Sequence, residues 1–289
     1  MASSGERGDE ESRAGEREES ERELEMGTRI AEPVQAGEGD QLESESGEER
    51  AARLEHGPNL RRCRIHVILP ALDEERALPS VLQSLPQQLV TDVIVVDNGS
   101  RDGTARVAQE HGARVVREER RGYGSACLAG IAALAEPQDD DIIVFLDADG
   151  SDDPRMLDRL IDPIVQGNAD IVIGSRVLGE RERGALTPHA RFGNALAVAL
   201  IRMLTGVRYT DLGPFRALTW KGLRALGMRD RDYGWTVEMQ LRAARAGLRA
   251  VEVPVPYRRR IGQSKISGTV VGSIRAGAKI LWTVAKHAR

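Results

Sequence analysis

Aromatic side chains supply only 3% of this 289-residue chain. Its core must therefore be built from Val, Leu, Ile and Ala, and base-stacking platforms for nucleic acid are not available. Cysteine is scarcer still: Cys63 and Cys127 stand far apart, with no CxxC or Cys/His cluster. Neither a disulfide framework nor a zinc site is indicated, and a reducing cytoplasm is the default compartment. No run approaches 18 uncharged apolar residues, and the charged N-terminus has no apolar core of a secretory leader. No spanning helix is expected. A Walker loop is missing, and no GxGxxG follows the first apolar run.

What the chain does have is an uneven charge. The net charge of −4 averages residues 1–58, with eighteen acidic and seven basic side chains, against a remainder near +7. Rich in Glu, Ser, Gly and Arg, segment 1–58 cannot bury enough apolar surface to offset chain entropy and is expected to be a disordered acidic tail.

From Arg64 the pattern changes to short β-rich runs. Segments 64–69, 92–96, 113–116, 141–146 and 169–174 read as strands apolar on both faces, as in a covered parallel sheet. Leu78, Val81, Leu82 and Leu85 repeat at helical spacing, as do Leu157, Leu160, Ile161 and Ile164. Alternating strands and helices predict right-handed βαβ units in an α/β fold, with ligands at the carboxyl ends of the strands. Three polar clusters fall there: PALDEE (70–75), DNGSRDGT (97–104) and DADGSDDP (147–154).

In the third cluster, side chains two apart on an extended segment point the same way. Asp147 and Asp149 are expected to face one pocket with Ala148 turned inward. Oxygen ligands of this kind suit Mg²⁺ or Mn²⁺. The bland alternative is an acidic turn in which Asp152 or Asp153 caps a helix beginning near Pro154. Asp97 could accept hydrogen bonds from a base, whereas turn chemistry accounts for residues 98–104. The Gly-x-Gly at 122–124 could admit a phosphate at Gly124 or a close packing contact.

With those clusters in that order, the chain resembles glycosyltransferase family 2 over about residues 64–268. The resemblance implies a GT-A fold, a mostly parallel central sheet flanked by helices, and use of a nucleotide sugar. ILPALDEE resembles the family's first nucleotide-contacting loop, bringing Pro70, Ala71, Leu72 and Glu74 to the donor, although Asp73 stands where Asn is common. VVDNGSRDGT resembles the base-binding segment with Asp97. FLDADGSDDP resembles the metal and diphosphate loop with Asp147, Ala148 and Asp149; Ser151 replaces a Gln that binds metal in some relatives, which leaves the third protein ligand open. IVIGSR resembles the strand whose arginine, here Arg176, reaches the phosphates.

Segments 211–218, 234–243 and 255–268 are similar to the polyprenyl-phosphate sugar synthase branch. By position, that similarity makes Arg259 and Lys265 the basic residues over the leaving phosphates. Glu238 could approach the acceptor or satisfy a buried donor, and Arg216 could pair with Asp211. The expected organisation is a tail (1–58), a catalytic domain (59–255), and a basic loop with an amphipathic C-terminal helix (256–289).

The reading that follows is a metal-dependent inverting hexosyltransferase using a UDP-sugar, with GDP-mannose second. It would act on a polyprenyl phosphate and lie in the cytoplasm or on the cytoplasmic face of the membrane, touching it through segment 191–207 or 270–289. A soluble acceptor and a non-catalytic nucleotide-sugar sensor are the alternatives. Nucleic acid is not an expected partner.

Overall fold

The structure is a computed structural model that describes residues 63–262. The acidic tail, Lys265 and the C-terminal amphipathic segment lie outside the described residues.

The chain alternates strand and helix: β1 (Ile65–Ala71), α1 (Leu78–Ser84), β2 (Asp92–Asp97), α2 (Thr104–Glu110), β3 (Arg114–Arg117), α3 (Tyr123–Ala132) and β4 (Ile142–Phe145). A 3₁₀ turn (Pro154–Met156) then leads into α4 (Leu157–Val165), β5 (Ile171–Ser175) and α5 (Pro188–Thr205). The described chain closes with β6 (Arg216–Thr219), α6 (Trp220–Leu226), α7 (Trp235–Arg245) and β7 (Ala250–Pro254). The strands form one sheet in the order β3-β2-β1-β4-β6-β5-β7. Among the described strands only β6 runs against its neighbours, β4 and β5.

Alternation along the central strands splits the core into two layers. Val67, Leu69, Val144 and Leu146 face α1, α2 and α4, packing with Leu78, Val107, Leu160 and Ile161. Ile68, Ile94, Val96, Ile143 and Phe145 face the other way, against Ala126, Ala197, Ile201 and Trp235 of α3, α5 and α7. Two helical layers thus cover one sheet, which is why its strands read as apolar throughout. The scarce aromatics are used centrally: Phe145 and Trp235 meet edge to face with ring centroids 5.8 Å apart, a geometry worth about 0.5–1.5 kcal/mol beyond burial.

Register sets the position of the site. Ala71 at the end of β1 pairs with Asp97 at the end of β2, and Ile68 pairs with Phe145 at the end of β4. The polar loops after these three strands therefore open on one edge of the sheet. Connections from β1 lead to β2 on one side while β4 pairs on the other, so a crevice forms where the strand order reverses.

Candidate active site

A cleft of about 440 Å³ occupies that crevice, lined by the loop after β1 (Pro70 to Glu74), the turn Asp147–Ala148–Asp149, Tyr123 of α3 and Arg260. Its walls are held by hydrogen bonds between the loops. Asp73 adopts a left-handed backbone with φ 53°, a conformation that Asp and Asn tolerate better than other side chains. Its Oδ1 accepts the Arg101 N–H at 2.7 Å, while Gly103 N–H donates to Glu75 Oε2 at 2.7 Å. Asn98 fastens the third side: its amide donates to the carbonyls of Glu118 and Arg120, and its oxygen accepts the Gly122 N–H.

Gly122 and Gly124 serve a close approach. A Cβ on Gly122 would lie 2.1 Å from the Arg231 carbonyl oxygen, and one on Gly124 2.1 Å from that of Asp230. The Gly-x-Gly therefore seats loop 230–231 on α3. Glu238 anchors the same loop, accepting the N–H groups of Arg229 and Asp230 at 3.0 and 2.6 Å and the Arg242 Nε–H at 2.9 Å. Glu238 thus satisfies donors of this loop and of α7.

The carboxylates of the turn are unequal. Asp149 Oδ2 lies 2.9 Å from Arg260 Nη2, and its Oδ1 accepts the Ser151 N–H at 2.9 Å. Asp147 Oδ1 is buried with no hydrogen-bond partner. Burial, then the nearby charge of Asp149, push the Asp147 carboxyl up to about 6, against the opposing pull of Tyr123, Arg260 and Arg176. An open carboxylate oxygen beside a second carboxylate is a site that favours a cation. The turn begins after β4 has ended, so the pair converges without the extended geometry expected of it. Ala148 also lines the cleft.

Residues 257–261 run back across this turn. Arg258 N–H donates to the Ser151 carbonyl at 2.8 Å and Ile261 N–H to that of Asp149 at 2.9 Å. This places Arg260 in the cleft. Its neighbour Arg259 instead donates to the Arg183 carbonyl, pairs with Glu182 at 3.7 Å, and lies outside the cleft lining. Burial works against the Arg260 charge, but Asp149, Tyr257, Asp147 and Glu74 together raise its pKa.

Arg176 and Ser151 lie behind this wall. Arg176 forms a two-point ion pair with Asp211 at 2.8 Å for each contact and lies over the Tyr257 ring, 5.1 Å from its centroid. The ion pair expected of Asp211 with Arg216 is thus made with Arg176, and Arg216 donates to the carbonyls of Leu212, Gly213 and Thr236. Ser151 is buried beside Tyr257. Asp152 is 2% exposed and neither carboxyl oxygen has a hydrogen-bond partner. Burial and then Asp147 raise its pKa well above the carboxylate range, with Arg176 opposing. Asp153 does the capping, accepting the Arg155 N–H at 3.2 Å. At the end of β2, Asp97 accepts the Ser100 N–H at 2.8 Å.

A family model described as glycosyl transferase family 2 matches residues 66–226, more than half of the chain. The chain belongs to glycosyltransferase family 2. Its similarity extends to an uncharacterised glycosyltransferase of Mycobacterium tuberculosis, 41% identical over 214 residues that cover 73% of this chain and 94% of that one. An undecaprenyl-phosphate mannosyltransferase of Micrococcus luteus is 36% identical, with 72% and 90% covered. Among solved structures, glucosyl-3-phosphoglycerate synthase of Mycobacterium tuberculosis, in complex with Mn²⁺, UDP-glucose and phosphoglyceric acid, superposes with a TM-score of 0.65 at 25% identity, covering 84% of each chain.

For this family 2 glycosyltransferase the cleft has a donor set made of oxygen. Among the described residues no group of three or more His, Cys, Asp or Glu side chains forms a metal cage. The open Asp147 oxygen and the adjacent Asp149 carboxylate still fit a magnesium-type ion, which takes one or two carboxylates and completes its shell with water and phosphate oxygens. Sequence reasoning named the segments around Gly122 and Arg259 but not their cleft-lining side chains Arg121, Tyr123 and Arg260; it missed Tyr233 and assigned Asn98, which also lines the cleft, to turn chemistry.

Proposed function

We propose that this enzyme transfers a hexose from a nucleoside diphosphate sugar to a polyprenyl phosphate, with a divalent ion held by Asp147 and Asp149. The reading rests on the unpartnered Asp147 oxygen at the mouth of β4 in a family 2 chain. When bound, the ion supplies positive charge to the diphosphate as it departs. Arg260 lines the same cleft and supplies a further positive charge there. The loop from Pro70 to Glu74 forms the opposite wall and holds the nucleotide. Arg176, which is not among the residues lining the cleft, adds its positive charge to the field at Asp147 and Asp152.

An acceptor phosphate oxygen attacks the anomeric carbon as the carbon–oxygen bond to the diphosphate breaks, inverting that centre. A lipid phosphate is largely dianionic near neutral pH, with a second pKa of about 6, so this acceptor needs no strong base. That agrees with a cleft in which Glu238 is committed to the loop it anchors.

Two observations bear on the substrates. The relative named for undecaprenyl phosphate is 36% identical, and a dolichyl-phosphate hexose transferase of Haloferax volcanii is 33% identical. The solved neighbour with a soluble acceptor stands at 25%. UDP-sugar is the favoured donor from that neighbour's ligand; a relative named for mannose keeps GDP-mannose as the second choice. Labelled UDP-glucose and GDP-mannose, each with Mn²⁺ and either undecaprenyl phosphate or 3-phosphoglycerate, separate these readings. Organic-phase product is expected, lost by about 100-fold or more in Asp149→Ala; product confined to the aqueous phase would overturn the lipid acceptor.

A further inference from the structure

Both oxygens of Asp149 are engaged within the chain: Oδ2 takes Arg260 Nη2 at 2.9 Å, and Oδ1 accepts the Ser151 N–H at 2.9 Å. Asp147 keeps Oδ1 without a partner. The two carboxylates assigned to one ion therefore differ in what they offer it. A carboxylate oxygen has a second lone pair, so the Ser151 bond does not bar an ion from Asp149. The guanidinium does, because a divalent ion on that carboxylate would stand beside a full positive charge.

The backbone on either side of Arg260 is tied to the same turn. Arg258 N–H donates to the Ser151 carbonyl at 2.8 Å and Ile261 N–H to the Asp149 carbonyl at 2.9 Å. Arg258 Nη2 donates to Asp153 Oδ2 at 2.9 Å. Ile261 packs over Gly150, where a Cβ would stand 3.3 Å from Ile261 Cδ1. None of these contacts uses the Arg260 side chain. Its guanidinium can leave Asp149 by rotation about side-chain bonds while the backbone stays in place, and the side chain is 31% exposed on the cleft side, where there is room to turn. The anion that the proposed reaction brings into the same cleft is the donor diphosphate, and an arginine freed from one acid pairs readily with phosphate oxygens.

We infer that Arg260 and the divalent ion are alternative partners of Asp149, and that Arg260 leaves this carboxylate for the diphosphate when the ion is seated. The inference rests on the ion site of the proposed function and adds a linkage to it: ion and diphosphate favour each other's binding through one arginine. Arg260 thus lowers the affinity for the ion alone and raises it for ion and diphosphate together.

Isothermal titration of Mn²⁺ into the full chain, with no donor or acceptor present, tests it. Arg260→Ala should bind Mn²⁺ about tenfold more tightly than the parent, because the ion no longer displaces a cation. Arg260→Gln keeps most of the side-chain stem and should show the same gain, which covers a loss of stability in the alanine variant. A merely structural role would weaken the ion site. Arg258→Ala removes an equal charge from Asp153 on the same segment and should change Mn²⁺ affinity by no more than about twofold. With inorganic pyrophosphate as the probe, Mn²⁺ should tighten binding to the parent, by a factor about fivefold larger than in Arg260→Ala. Mn²⁺ affinity that is unchanged or weaker in both Arg260 variants, an equal gain in Arg258→Ala, or an unchanged pyrophosphate factor would overturn the inference and leave the ion site standing. Mn²⁺ binding by none of these proteins would remove the ion site itself, and the inference with it.

Discussion

Two regions of the sheet, its β6-β5-β7 flank and its centre, handle charge in opposite ways. On the β5-β6-β7 side, strong charges are closed on one another: Arg176 pairs with Asp211, and Glu252 accepts the N–H groups of Thr210 and Asp211. Arg216 is buried and bonded to carbonyl oxygens. At the crevice between β1 and β4, Asp147 keeps an open oxygen, and behind it Asp152 has no hydrogen-bond partner on either carboxyl oxygen. On the flank, the buried charges offset one another's burial. The central crevice retains an unbalanced charge, which is what a binding site for a charged ligand requires.

The contrast would break most visibly on the closed side. Arg176→Ala leaves the fully buried Asp211 carboxylate without its countercharge, a loss of about 3–5 kcal/mol. Urea denaturation of the purified variant measures it. Replacing both partners, Arg176→Met with Asp211→Leu, should recover much of that loss, because no buried charge is then left alone. Equal loss in single and double variants would mean that the surrounding network, and not the pair, depends on Arg176.

Two neighbouring arginines sharpen the comparison at the open side. Arg260→Ala should lower kcat by about 100-fold and cost less stability than Arg176→Ala, since Asp149 lines the cleft and keeps the Ser151 N–H. Arg259→Ala removes contacts to Glu182 and the Arg183 carbonyl at the surface and should cost no more than about 1 kcal/mol of stability. Steady-state kinetics on the two variants decide which basic residue works in the cleft, and a reversed ranking would return the role to Arg259.

These two residues also show where sequence reading stops. Strands β1, β2, β4 and β5 were legible because each is a run of β-branched or apolar residues buried on both faces. The carboxylates were legible because such a run ends directly in them. Strand β6 was missed, being four residues long and opening on Arg216; β7 was missed because Glu252 interrupts its apolar pattern. Arg260 could not be told from Arg259 by spacing, since the choice depends on backbone hydrogen bonds to Asp149 and Ser151, more than a hundred positions earlier in the chain. Nor does local pattern reveal that Gly124 exists for the loop at Asp230. Contacts between segments distant in sequence leave no periodic trace in either one.

A pH-dependent difference tests the open oxygen itself. In the metal-free protein the Asp147 carboxyl is raised to about 6 by burial and by Asp149. A folded-state value above the unfolded one means that the folded chain holds the proton more tightly. This contribution to stability is present below the unfolded pKa of about 4 and is lost as pH rises through about 6. Water reaching the residue from the cleft reduces the effect, to about 1–2 kcal/mol across that window. Carboxylates that accept arginine, such as Asp141 and Asp153, have lowered values and slope the other way, so a single pH curve is a mixture. The difference between parent and Asp147→Asn removes what the two share: the variant should gain on the parent as pH rises from about 4 to about 7. Adding Mn²⁺ should then stabilise the parent more at about pH 7 than at about pH 5, because the ion needs the carboxylate unprotonated. The variant should show little of that response, and an identical Mn²⁺ shift in both proteins would remove Asp147 from the metal site.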